Sequence, residues 1–283
     1  MTSLGRSLSS CKQSAAERGK NLLGAIVGDI VGSVYEFHNY RGLDFPLFTP
    51  RSTFTDDSVL TFATAKVLLD GLDYAATYQD FARRYPNRGY GGFFYRWIYS
   101  KDPQPYNSFG NGSAMRVSPV GFAFESMEET LAEAQRSAEV THNHPEGIKG
   151  AQAVALAIYL ARHAASKAQI RQEISSRFGY NLSRTSEQIR QVNRHDETCP
   201  GSVPEAIIAF LESTDFEHAI RLAISLGGDS DTIACMAGGI AQAFYGGVPQ
   251  EIVAETIARL PEEFVQILER FNTKYLPNNA NSV

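Results

Sequence analysis

Apolar residues recur at intervals of three and four along most of this chain, the period of a one-sided α-helix, and no stretch sustains the alternation of a half-buried strand. The clearest case opens at Leu23, where Leu23, Ile26, Val27, Ile30, Val31 and Val34 line one face. Gly24, Gly28 and Gly32 form a neighbouring stripe of the same helix. An interior glycine costs about 1 kcal/mol against alanine. Three in register therefore predict close approach of a second helix or of a ligand. Further helices are predicted over 58–69, 129–140, 145–165, 168–178 closed by Gly179, 205–211 opened by Pro204, 216–226, 232–245, 249–260 and 262–275. The expected fold class is all-α, a compact orthogonal many-helix bundle without internal repeats.

Residues 1–19 are rich in Ser, Lys and Arg and poor in large apolar groups, which predicts a mobile N-terminal tail. A single domain is expected over 20–277, with a short C-terminal tail at 278–283; 283 residues at 43% hydrophobic content suffice for one large core. The segment 85–118 reads as a long irregular loop crowded with Gly, Pro and aromatic residues, and so many aromatics argue for function rather than disorder. The apolar run 22–34 contains Asp29 and is too short to span a bilayer, and it makes a poor signal peptide, so no membrane partner is expected.

Formal net charge is -5 and the basic residues are scattered, which argues against general nucleic-acid binding. Cys11, Cys199 and Cys235 include no Cys-x-x-Cys pair, so neither a disulfide framework nor a thiolate metal site is expected, and a cytoplasmic location is the default.

Two acidic stretches far apart in the chain carry the chemistry: Thr55-Asp56-Asp57 and Asp229-Ser230-Asp231-Thr232, each at the start of a predicted helix. Thr, Ser and Asp are favoured helix caps. One carboxylate suffices for a cap, however, and the surplus crowds like charges that repel unless a cation lies between them. Carboxylates with hydroxyls form the oxygen-rich donor set that hard divalent ions such as Mg2+ take. A glycine turn, Gly110-Asn111-Gly112-Ser113, can present backbone N–H groups to phosphate oxygens, with Arg116 near enough to help. His142 and His144 flank Asn143 ahead of Pro145; imidazole does not suit a carboxylate-rich hard-cation site.

In order and spacing, Gly28-Asp29-Ile30-Val31-Gly32-Ser33-Val34-Tyr35-Glu36, Phe54-Thr55-Asp56-Asp57-Ser58, Gly110-Asn111-Gly112-Ser113-Ala114-Met115-Arg116, Thr141-His142 and Gly227-Gly228-Asp229-Ser230-Asp231-Thr232 closely resemble the ADP-ribosylglycohydrolase family, from about residue 22 to about 275. The resemblance implies a helical fold and a hydrolase that removes ADP-ribose from a protein, nucleic-acid or small-molecule acceptor, with ADP-ribose as product. It implies two Mg2+ ions, with Mn2+ as a substitute, held by Thr55, Asp56, Asp57, Asp229, Asp231 and Thr232. Glu36, Asp56, Asp57 and Asp231 are the implied catalytic groups. Phe109, Gly110, Asn111, Gly112, Ser113 and His142 are the implied substrate contacts, the glycine turn cradling the diphosphate and His142 the nucleotide. Asp29 reads as a structural residue that ties its helix to its neighbours. The same ligands would also serve a catalytically silent ADP-ribose binder or a two-metal phosphohydrolase acting on the diphosphate.

Overall fold

A computed structural model of the chain describes residues 22–192 and 195–276; the expected tails, and Cys11, lie outside the described residues. In chain order the helices are α1 (Gly24–Gly32), α2 (Asp56–Asp70), α3 (Tyr74–Arg84), α4 (Gly92–Ile98), α5 (Gly112–Met115), α6 (Ser118–Ala123), α7 (Met127–Glu139), α8 (Pro145–Arg162), α9 (Lys167–Phe178), α10 (Ser186–Arg190), α11 (Cys199–Glu212), α12 (Phe216–Ser225), α13 (Ser230–Tyr245), α14 (Gln250–Ile257) and α15 (Glu262–Tyr275). Among the described residues the sole extended pairing is an isolated antiparallel bridge between Gly110 and Thr198. The chain is thus all-α, as its periodicity predicts.

The centre of the bundle is the pair α1 and α13. A side chain on Gly24 would strike the Gly238 carbonyl, one on Gly28 the Ala234 carbonyl, and one on Gly32 the Asp231 backbone. The glycine stripe therefore exists for helix–helix contact, with α13 as the partner. Gln242 of α13 secures the arrangement by accepting hydrogen bonds from the Leu23 and Gly24 N–H groups, which would otherwise be orphaned at the start of α1. Around this pair one continuous apolar cluster runs from Leu22 to Leu276.

Several boundaries differ from the sequence expectation. α11 begins at Cys199, so Pro204 lies inside the helix rather than at its start; Pro200 takes the early position, and Thr198 caps the helix by accepting from Gly201 N–H. The segment 85–118 is not one irregular loop. It contains α4, whose Phe94, Trp97 and Ile98 are buried, and the single turn α5. α3 is a polar helix capped by Asp73, which accepts from Ala76 N–H. α1 stops at Gly32, so Glu36 stands beyond the helix, on the segment that follows it. Gly179 ends α9 in the left-handed conformation with φ of 69°, as expected of that position.

Candidate active site

The first acidic stretch is built on Asp29, which α1 places fully out of solvent. Its carboxylate accepts from the Thr55 N–H at 2.9 Å, the Thr55 hydroxyl at 2.6 Å, the Ser58 N–H at 3.1 Å and the Ser58 hydroxyl. These bonds tie α1 to the first turn of α2, the structural task expected of Asp29. Thr55 also caps α2 through Asp57 N–H. The Asp57 carboxylate is buried; its Oδ2 accepts from the Thr232 hydroxyl at 3.2 Å, while its Oδ1 has no hydrogen-bond partner among the described residues. An anionic oxygen left bare in the interior is costly.

The second stretch is aimed by backbone. Gly227 and Gly228 both adopt positive φ, 74° and 72°, a conformation in which a β-carbon would be strained. They turn the chain so that Asp229 starts α13 without capping it. Asn111 Nδ2 donates to Asp229 Oδ2 at 2.6 Å. Asn39 clasps the same turn to the Glu36 segment: its Oδ1 accepts from Gly228 N–H at 2.9 Å, and its Nδ2 donates to the Gly228 and Glu36 carbonyls.

The two stretches therefore converge. Asp29, Asp57 and Asp231 form one group, and Glu36, Asp229 and Asp231 a second, each able to bring three carboxylate oxygens within 4.8 Å of one another. Asp231 is common to both. Asp56 belongs to neither group and faces the cleft beside Gly89. Burial raises the Asp57 and Asp231 carboxyls well above the usual range, with Asp29 adding for Asp57 and Asp229 for Asp231. Asp56 is raised by burial and by Asp29. Asp229 is raised by burial, though hydrogen bonds oppose the shift. Glu36 is pushed up to about 7, by burial first and the Asp229 charge second. Without a cation these acids hold protons they would otherwise release.

Above the carboxylates opens a cleft of about 550 Å3. Its lining includes Glu36, Asp56, Asp57, Asp229, Asp231 and Thr232, together with Gly110, Asn111, Gly112 and His142 and the aromatic residues Phe93, Phe94 and Tyr106. Such a cavity, with carboxylates, backbone polar groups and aromatic rings in its lining, suits a nucleotide-sized ligand.

Comparison with known proteins identifies the family. Residues 18–278 match the family model described as ADP-ribosylglycohydrolase. The chain belongs to the ADP-ribosylglycohydrolase family. It is similar to ADP-ribosylhydrolase ARH3 of Mus musculus, 29% identical over 88% of this chain and 86% of the relative. It is also similar to the ADP-ribosylarginine hydrolase Tri1 of Pseudomonas putida, 28% identical over 85% of this chain and 74% of that protein. A solved structure of an ADP-ribosylglycohydrolase-related protein complex superposes with a TM-score of 0.69 at 25% identity, covering 93% of this chain and 98% of that one. The fold is that of an ADP-ribosylglycohydrolase, and the chain is an enzyme of this hydrolase class.

Most of the expected site residues of this ADP-ribosylglycohydrolase meet in the cleft; three have other positions or tasks. Ser113 is fully buried and donates to the Gly147 carbonyl at 2.7 Å, so its side chain holds α5 to α8 and does not line the cleft. Phe109 is 45% exposed, packs at a tilt against the His144 ring and also lies outside the lining. Arg116, placed by sequence beside the phosphate turn, borders the cleft from behind and exposes no surface to it. Sequence reasoning missed Asn39 and Glu197. Glu197 lines the cleft near Glu36, and its carbonyl accepts from Asn111 N–H at 2.8 Å. No motif spacing marks either residue; only the tertiary fold brings them to the site. Among the described residues no helix is long and apolar enough to cross a membrane.

Proposed function

We propose that the chain is a Mg2+-dependent hydrolase that cleaves the glycosidic bond between ADP-ribose and an acceptor, releasing intact ADP-ribose. The reading rests above all on the bare Asp57 Oδ1, set in a group of carboxylates that shares Asp231 with a second such group. Buried oxygens with raised proton affinity and too few donors fit a pair of hard divalent cations. Asp57 and Asp231 would contribute to one ion and Asp229 and Asp231 to the other, with Thr55, Asp56 and Thr232 supplying further oxygens. Bound there, the ions would polarise the ribose hydroxyls and lower the pKa of a water.

The protein's own groups do the rest. Asn111 fixes the Asp229 carboxylate, and Asn39 fixes the turn that carries it. Glu36 stands at the cleft, where it could take a proton from water or give one to the leaving acceptor. The carboxylates stabilise the positive charge that develops on the sugar ring as the glycosidic bond breaks. The Gly112 N–H group, which meets no acceptor among the described residues, would receive the diphosphate at the open side of its turn.

The test is a panel of substrates that differ only in the ADP-ribosyl linkage, incubated with protein and Mg2+, with products identified by mass. Release of ADP-ribose and free acceptor from at least one linkage is expected. AMP as the product would favour a phosphohydrolase, and tight ADP-ribose binding without turnover of any linkage would favour a silent binder. Acceptors borne by proteins, nucleic acids and small molecules all belong in the panel.

A further inference from the structure

A chain of polar contacts runs from the core to the cleft wall behind the Gly110–Ser113 turn. At its inner end Arg116 is fully buried, with its guanidinium 4.3 Å from the centre of the Tyr78 ring. No carboxylate pairs with it among the described residues, and its Nε and Nη1 meet no acceptor there. Nη2 alone is engaged, donating to the Ser137 carbonyl and to the Thr141 hydroxyl oxygen, both at 2.9 Å. A buried cation spends one of its few contacts on a threonine. That threonine is in turn 2.7 Å from His142 Nδ1.

Counting protons settles the direction of these bonds. A guanidinium donates and never accepts, so Thr141 is the acceptor in its contact with Arg116. Thr141 is itself fully buried, and among the described residues its hydroxyl touches nothing else but His142 Nδ1. Its own proton therefore belongs to Nδ1, which must be bare, leaving the ring proton on Nε2. The opposite tautomer would give Thr141 two donors and leave its O–H unpaired in the interior, a costly arrangement. Charging the ring is disfavoured as well, because burial, and then the Arg116 charge, hold His142 well below the ordinary histidine range.

The far edge of the ring reaches the site. Nε2 lies 3.1 Å from where a β-carbon on Gly112 would stand and 3.6 Å from the equivalent point on Gly110. We propose that Arg116 and Thr141 are positioning residues that fix His142 as the neutral tautomer protonated on Nε2, so that one uncharged donor faces the cleft beside Gly110 and Gly112. Its partner is an acceptor oxygen of the bound ligand. A histidine without this relay would present a donor only part of the time. This role rests on the reading that ADP-ribose occupies the cleft, but the tautomer itself does not.

The test uses the full chain with 15N-labelled histidine and long-range 15N–1H correlation, the His142 signals being assigned by their loss in His142→Asn. Wild type is expected to show a bare Nδ1 and a protonated Nε2. Thr141→Val should shift His142 towards the Nδ1-protonated form or a mixture, and Thr141→Ser should restore the wild-type pattern. Calorimetry should find ADP-ribose affinity about tenfold weaker in Thr141→Val, the loss of roughly one hydrogen bond, with Thr141→Ser near wild type and Mg2+ affinity within about twofold in both. An Nδ1-protonated His142 in wild type, or an unchanged tautomer in folded Thr141→Val, overturns the relay whatever the ligand. Should Thr141→Val fail to fold, the wild-type tautomer decides alone. Absence of ADP-ribose binding by wild type would instead overturn the functional reading, together with the role of Nε2 as a donor to the ligand, while the nitrogen signals still judge the relay.

Discussion

At the scale of single residues the site separates groups by their share in the carboxylate clusters. Asp231 belongs to both, so Asp231→Asn should abolish turnover, by about 100-fold or more, while the helical circular-dichroism signal stays intact. Asp56 faces the cleft outside both clusters, and Asp56→Ala should likewise abolish turnover; steady-state rates within a few-fold of wild type in both variants would remove the cation assignment. Gly112→Val should weaken ADP-ribose binding without altering Mg2+ affinity, because a side chain there stands against His142 Nε2 and closes the turn to phosphate. Equal ADP-ribose affinity by calorimetry would place the diphosphate elsewhere. The surplus of carboxylates was legible in the sequence, since two acids side by side exceed what a helix cap needs. The tasks of Asn111, Asn39, Glu197 and Arg116 were not, because each depends on a partner more than 20 positions away or on burial that no local pattern records.

The register of whole elements explains why the site holds together. Gly24, Gly28 and Gly32 let α1 lie against α13, and the last of them abuts the Asp231 backbone, so the helix contact and the carboxylate clusters share one geometry. Gly28→Ala should therefore destabilise by roughly 1–3 kcal/mol through overpacking against the Ala234 carbonyl. A melting temperature several degrees lower is expected, with turnover reduced as well; an unchanged melting temperature would mean that the two helices can separate there at little cost. The stripe was readable because interior glycines ask for a reason, but its partner was not. Long apolar helices were also readable from their period. α3 escaped because its sequence is polar, α4 because aromatics among glycines imitate a loop, and the start of α11 because Pro204 resembles a first-turn proline when it is in fact interior.

Over the whole molecule the proposed function makes charge set the order of binding. An acidic protein, net -5, lines with carboxylates a cleft that would take a doubly anionic ligand, so on the proposed function cations bind before substrate does. In chelator, Glu36 binds a proton up to about 7 in the folded chain against an ordinary 4.5, and Asp56, Asp57 and Asp231 shift the same way. The folded state then holds more protons than the unfolded state across that window, and stability falls as pH rises through it. Melting temperature in chelator should decline from about pH 5 to about pH 8, and Mg2+, which takes the deprotonated acids, should raise it more at the higher pH. A chelated melting temperature that climbs over that range would contradict the electrostatic picture. If these carboxylates gather cations which then receive the sugar, the two binding events are coupled, and calorimetric titration of ADP-ribose into the wild-type protein, once in Mg2+ and once in excess chelator, reads that coupling. Binding tighter by about tenfold or more in Mg2+, with the difference lost in Asp229→Ala, is the predicted result; equal affinity in both buffers would contradict it.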